Sequence, residues 1–444
     1  MPSHPTVVRL DCKAQSYDWG NIGSRSSVAR FASSSPGFTV DESRPYAELW
    51  MGTHPNAPST LYQSEKSLES FLKADPQLLT PYFHEKYNGH LPFLFKVLSI
   101  GKALSIQAHP DKSLAEKLFK DRPDLYKDDN HKPEMAIALT DFEALCGFKP
   151  LDEISAALDR WPEFWALVGD QAAREFQEAV KRSQAIEGIK GIKEGRQALK
   201  ALFKTMMTAE PAKVKLELDR LVARLESAGQ QQYSAGSLEE LLLRVHSQFP
   251  GDVGLFCFFF LNYIVLQPGQ AVFLAANEPH AYLSGDCVEC MAASDNVIRA
   301  GLTPKFKDVE VLTEMLTYQS KAGSDQLLSG VLCTPTGHSL MYDPPIDEFS
   351  IILTTLDHAK EKERLRGAEG PSVVIVTKGQ GVIRTENRAT SESEDEVVEV
   401  VAEEGNVFFV GANTPFSIEA SSDEGVTIYT AFSVKPDKKD HFHH

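Results

Sequence analysis

Three short segments carry side chains that could share one divalent cation. Gln107 and His109 stand two positions apart after the apolar run Leu98–Ile106. On an extended strand such residues face the same way, so an amide oxygen and an imidazole would point together. Glu134 opens the apolar stretch Met135–Leu139, on the same face as Ala136 and Ala138, whose small side chains leave room for a cavity. His280 ends a segment that runs from a glycine turn to Pro279. Two imidazoles, one carboxylate and one amide oxygen suit zinc or another first-row divalent ion with one position left open. A Gln-x-His pair is a weak signal alone, and an isolated histidine is more often structural than a ligand.

Other groups compete for a chemical role. Cys287-Val-Glu-Cys290 has the spacing of a zinc knuckle, but no second Cys or His pair follows at the expected distance, and the βαβ setting of a redox CxxC is missing. Lys96, Lys102, Lys132, Arg299 and Lys305 flank the candidate ligands. Each alone reads as a solvated charge; together, in an acidic chain, they fit a phosphate-bearing substrate. No Gly-rich loop of the Walker or dinucleotide type is present, so nucleotide-driven phosphoryl transfer has no support.

The 444 residues suggest roughly three domains at about 150 residues each. With 45 Lys and Arg against 62 Asp and Glu, the net charge of −17 argues against non-specific nucleic-acid binding. A pocket can still reverse the local potential for a small anion. The start Met1-Pro-Ser-His-Pro5 has no basic segment leading into an apolar run, so no secretory signal is expected. The most apolar stretch, Leu255–Leu266, is shorter than the roughly 20 residues a membrane helix needs, and reads as a buried strand or core segment. Six cysteines without a dense pattern point to a reduced, cytoplasmic setting.

The elements that must position the candidate site change texture along the chain. Up to about residue 150 the pattern is strand and loop, punctuated by Pro, Gly and Ser. From Leu151 to His246 apolar residues recur at helical intervals among charges, with Gly188 and Gly191 as expected breaks. From Gly254 strand-like material returns, including Phe349–Thr355, Ser372–Thr377, Val397–Ala402 and Val426–Phe432. The acidic Ser391–Glu396 reads as a hairpin tip, and Asp440–His444 as a disordered chain end more than as an adventitious metal binder. Gly269–His280 lies on Gly405–Phe416 without gaps, with the glycine, Phe273/Phe409, Ala276/Ala412, Asn277/Asn413 and Pro279/Pro415 coinciding. A turn, a short buried strand and an Asn-x-Pro turn make a β-barrel unit, so two related barrels are expected, with Phe416 where the first has His280.

Five motifs in order resemble the type I mannose-6-phosphate isomerase (phosphomannose isomerase) family: Tyr46–His54, Leu91–Leu98, Leu104–Lys112, His131–Met135 and Ala292–Lys305. The likeness extends from about Leu10 to Lys438, and the length and helical block are most like eukaryotic, fungal-type members. It implies a mainly β protein with an α-helical insertion: two cupin-type (jelly-roll) barrels plus a helical domain. The expected division is 1–150 and 251–323 for the catalytic barrel, 151–250 for the insertion, and 324–444 for a second barrel without metal. It also implies one zinc per chain on Gln107, His109, Glu134 and His280, and interconversion of mannose 6-phosphate and fructose 6-phosphate without redox or nucleotide cofactors, supplying GDP-mannose for glycans and cell wall.

An aldose–ketose exchange moves a proton between C2 and C1 through an enediol, whose developing oxyanion needs a metal or positioned cation. Arg299 is a candidate for the enediolate or the phosphate, and Lys305, Lys96 and Ser105 for the phosphate. Lys132 and Asp295 match family positions in or beside the pocket, which Glu289 and Tyr282 are expected to line. The base is left open: Asp295 and Glu289 have suitable chemistry, as would a lysine of lowered pKa. His54 and His131 are relay or second-sphere candidates, and Trp19 an aromatic wall or ordinary core. Two other classes stay in view, an iron-dependent cupin oxygenase and a non-catalytic sugar-binding cupin. A small phosphosugar is the expected partner, with no nucleic acid or membrane, and the expected state is a monomer.

Overall fold

The computed structural model describes residues 5–186, 188–229, 233–387 and 396–436. Among them, strands gather into two antiparallel sheets of eleven strands each and one two-stranded pair, and a helical block interrupts the first. The acidic residues 391–395 and the tail 437–444 lie outside the described residues. The flanking strands Ser372–Asn387 and Glu396–Glu403 pair as a hairpin.

One long strand organises the first barrel. In His280–Ala292, the first residues pair with Phe142–Phe148 and Gln107, while Gly285–Ala292 pairs with Phe93–Ile100 and, from Cys287, with Glu134–Ala138. The change of partner occurs around Gly285, at φ +100°, where a Cβ would sit 2.3 Å from the Asp141 carbonyl oxygen. Glycine lets the strand turn the corner that folds the sheet over itself. Residues 287 and 290 fall on opposite faces of this strand and bury in separate apolar clusters. The parity of the strand therefore keeps the two thiols from sharing a ligand.

The repeat is present in three dimensions. Gly269 and Gly405 turn at φ 84° and 85°, and Asn277 and Asn413 at 63° and 58°. Strands Ala271–Leu274 and Val407–Val410 lie between these turns, and the following strands begin at His280 and Phe416. Register extends the match: Leu274 pairs with Glu134 and its counterpart Val410 with Ser372. Serine and phenylalanine thus replace two ligand candidates, and the space beside Ser372, Thr414 and Phe416 is about 10 Å³. At this position the second barrel therefore has neither the carboxylate nor the imidazole of the first.

Helices Leu151–Arg160, Pro162–Val168, Asp170–Ala185, Ile189–Met207, Pro211–Ala228 and Leu238–Gln248 form the insertion. Pro162 and Pro211 start their helices where a missing N–H costs nothing, and Ser237 caps the last by accepting from the Glu240 N–H. Gly188 precedes the fourth helix as expected, but Gly191 lies inside it, close against the Ser183 and Ile186 carbonyls, so it is a packing position and not a break. The apolar Leu255–Leu266 stretch divides into a short helix, Gly254–Cys257, and the strand Leu261–Leu266. Its Phe259 stacks on Phe164, and its Phe260 meets Phe164 and Phe203 edge to face. Barrel and helices consequently share one core. Arg244 adds a two-pronged bond to Glu143 at 2.7 and 2.9 Å. The amino-terminal strand Val7–Asp11 hydrogen-bonds to Val407–Val410 in the second sheet.

Candidate metal centre and substrate cavity

Three strands bring the ligand candidates together. Gln107 lies opposite His280 on one side and Arg299 on the other, which places all three side chains on one face. Glu134 begins its strand across the barrel, and one nitrogen or oxygen each from His109, Glu134 and His280 lie within 4.8 Å of one another, all buried. His109 Nε2 is 3.4 Å from Glu134 Oε1, and His280 Nε2 is 3.4 Å from Oε2. Each histidine directs Nδ1 at a backbone carbonyl, His109 to Asn296 at 2.7 Å and His280 to Glu278 at 3.0 Å. Donation there leaves both Nε2 lone pairs facing a carboxylate, so these contacts are acceptor against acceptor. His109 Nε2, Glu134 Oε2 and His280 Nε2 are buried with no hydrogen-bond partner. Buried polar atoms are rarely left so, and neutral imidazoles oriented through Nδ1 are the form that binds metal. The donor set fits a first-row divalent ion.

Charge around the cluster is tightly ordered. Burial raises the Glu134 carboxyl, but Lys132, 3.0 Å away, outweighs it and holds the group well below the usual carboxylate range. Burial lowers His109 to about 4, keeping it neutral. Ser105 Oγ donates to Gln107 Oε1 at 3.3 Å.

Beside this cluster opens a cavity of about 790 Å³. The ligand candidates do not line it, but Ser105 and Arg299 do, and both border Gln107. Lys102, Lys305 and Lys307 add positive charge, and Trp19 forms part of the wall. Met207 and Val214 reach it from the helical block.

Family models match three stretches: the type I phosphomannose isomerase catalytic domain over residues 7–151, its helical insertion domain over 167–261 and its C-terminal domain over 339–385. A mannose-6-phosphate isomerase of Aspergillus fumigatus is 43% identical, covering 99% of each chain. The chain belongs to the type I phosphomannose isomerase family. The Homo sapiens mannose-6-phosphate isomerase is 41% identical over 96% of this chain and 98% of its own. A crystal structure of a mannose 6-phosphate isomerase bound with zinc and yttrium superposes with a TM-score of 0.77 at 28% identity, covering 97% of this chain and all of that one.

The remaining candidates divide between two environments. Trp19, Ser105, Arg299 and Lys305 share the cavity. Lys96, grouped from the sequence with the phosphate contacts, is instead buried 3.4 Å from Glu289 and 3.7 Å from Glu48. Those carboxylates outweigh its burial and keep it charged. Tyr282 donates to Glu289 at 2.9 Å, and burial together with Glu134 raises the Glu289 carboxyl. Lys96, Glu289 and Tyr282 thus form a polar layer inside the barrel and do not line the cavity. Asp295 is half-exposed, 3.8 Å from His54. His131 donates to Glu348 of the second barrel at 2.6 Å, an inter-barrel tie. Sequence reading passed over Glu48, although it lies in the Tyr46–His54 motif, and Asp252, whose signal was the turn Pro250-Gly-Asp-Val-Gly254.

Proposed function

We propose that this chain interconverts mannose 6-phosphate and fructose 6-phosphate, the activity of its family, with one zinc ion held by Gln107, His109, Glu134 and His280. The observation that carries the metal assignment is the convergence of three buried, partnerless ligand atoms. When bound there, zinc supplies Lewis-acid stabilisation of the oxyanion that develops as the C2 proton leaves.

The chain's own groups bind and orient the sugar. Ser105 and Lys305 take the phosphate, and Arg299, in register with Gln107, offers a half-buried charge to the phosphate or the enediolate. Trp19 walls the sugar. The proton-transfer group is one of Lys132, Asp295 and Glu289. Asp295→Asn, Glu289→Gln and Lys132→Met separate them, since loss of the base abolishes exchange of the C2 hydrogen with solvent while a binding residue changes KM. This reading keeps the insertion at 151–250 and a monomer, but assigns Val7–Asp11 to the second sheet and carries the first sheet past 323 to Leu327–Leu328. Six free thiols fit a cytoplasmic enzyme, and its product feeds GDP-mannose for glycans and cell wall.

A coupled assay of mannose 6-phosphate conversion tests this on untreated, metal-stripped and zinc-restored protein. Activity lost on stripping and restored by zinc supports the assignment. Activity in verified metal-free protein refutes the metal's role, and inactivity of folded, zinc-loaded protein refutes the function.

A further inference from the structure

The segment between Arg299 and Lys305 is strained, and one carboxylate holds it. Leu302 has φ +54°, the left-handed region that side chains larger than glycine rarely adopt, and it is 1% exposed. Asp252 Oδ1 accepts from the Leu302 N–H at 2.8 Å and the Gly254 N–H at 2.7 Å, and Oδ2 from the Thr303 N–H at 3.2 Å. The Thr303 hydroxyl then accepts from the Lys305 N–H at 3.1 Å. Lys307 lies 3.9 Å from the same carboxylate. Gly301 packs so closely on Gly254 that a Cβ there would come within 2.5 Å of the Gly254 Cα. The residues following the helical insertion are thereby locked to the loop that ends at Lys305.

We propose that Asp252 is the positioning residue of the phosphate end of the cavity. Its carboxylate stabilises the left-handed Leu302 and orients the chain so that Arg299 and Lys305 both reach the same space. Three N–H groups and Lys307 engage the carboxylate, which offsets its charge toward an incoming phosphate. Without it, Leu302 relaxes toward negative φ, the Thr303 turn loosens, and Lys305 leaves the cavity. The inference rests on the reading that substrate phosphate binds at Ser105, Arg299 and Lys305.

The test is steady-state kinetics of zinc-loaded Asp252→Ala and Asp252→Asn, with inorganic phosphate as competitive inhibitor and thermal unfolding as the check on folding. Lys305→Ala and Arg299→Ala run alongside. We expect Asp252→Ala to raise KM about 10-fold with kcat within about 3-fold, the phosphate Ki rising in parallel. Asp252→Asn falls between it and the parent, because one oxygen still accepts from Leu302 while the amide nitrogen cannot accept from Thr303. Parent KM and Ki in Asp252→Ala, with only less active enzyme, would make the residue merely structural and overturn the proposal. If the alanine variant does not fold, parent KM and Ki in Asp252→Asn overturn it equally. Unchanged KM and Ki in both Lys305→Ala and Arg299→Ala would instead refute the phosphate reading and take the inference with it.

Discussion

Removing the metal tests the candidate centre most directly. His109 Nε2, Glu134 Oε2 and His280 Nε2 are buried without hydrogen-bond partners. An unsatisfied buried polar group costs about 1–3 kcal/mol, so the metal-free protein bears a penalty on the order of 3–9 kcal/mol. Mass action sets a conservative figure: free zinc at about 100 times Kd stabilises the native state by about 2.7 kcal/mol. At roughly 2–4 °C per kcal/mol for a unit of this size, stripping lowers the unfolding midpoint by about 5–10 °C. His280→Ala removes a ligand and an orphaned imidazole together. Its midpoint becomes insensitive to zinc, and it stays within about 1 kcal/mol of the metal-free parent because the small cavity and the lost penalty offset. Thermal unfolding, metal content by plasma emission and isomerase turnover are read on the same samples. A metal-free parent with the full midpoint would refute the argument from partnerless atoms. A zinc-dependent midpoint surviving in His280→Ala would refute that residue's place among the ligands.

Glu348 accepts from His131 between the barrels, and although burial raises its carboxyl, that bond outweighs it and holds the group below the usual range. Its stabilisation is present above the unfolded carboxylate pKa and is lost as pH falls through the lower folded value. Glu348→Gln should therefore cost about 1–2 kcal/mol at pH 7, with the difference shrinking below about pH 4; urea midpoints at both pH values check it. Arg224 holds the buried Glu163 with two bonds of 2.7 and 2.8 Å. Arg224 is itself 44% exposed, so solvent screens the pair. Arg224→Ala should cost about 1–2 kcal/mol and speed proteolysis within the helical block. Phe416 is buried inside the second barrel. Phe416→Ala should destabilise by about 3–5 kcal/mol while leaving KM of the folded enzyme unchanged, and a KM shift would give that barrel a part in substrate binding.

Local chemistry made much of this protein readable before any fold was known. Gln107 and His109 share a face because strand geometry has a period of two. The helical block announces itself by 3.6-residue spacing, and the paired Gly–Asn-x-Pro turns mark two barrels because each turn needs its own residues in place. These signals act within a few residues and survive in the primary structure. Other features depend on which surfaces meet. Nothing in the local sequence shows that register sets Lys96 against Glu289, with Glu48 on the neighbouring strand, as buried ion-pair partners. Val7–Asp11 joins a sheet made from the far end of the chain, and Asp252 meets the Leu302 turn fifty residues on. Such pairings are chosen by long-range packing that satisfies buried donors and fills a shared core. No local spacing encodes them, so they emerge only when the chain closes on itself.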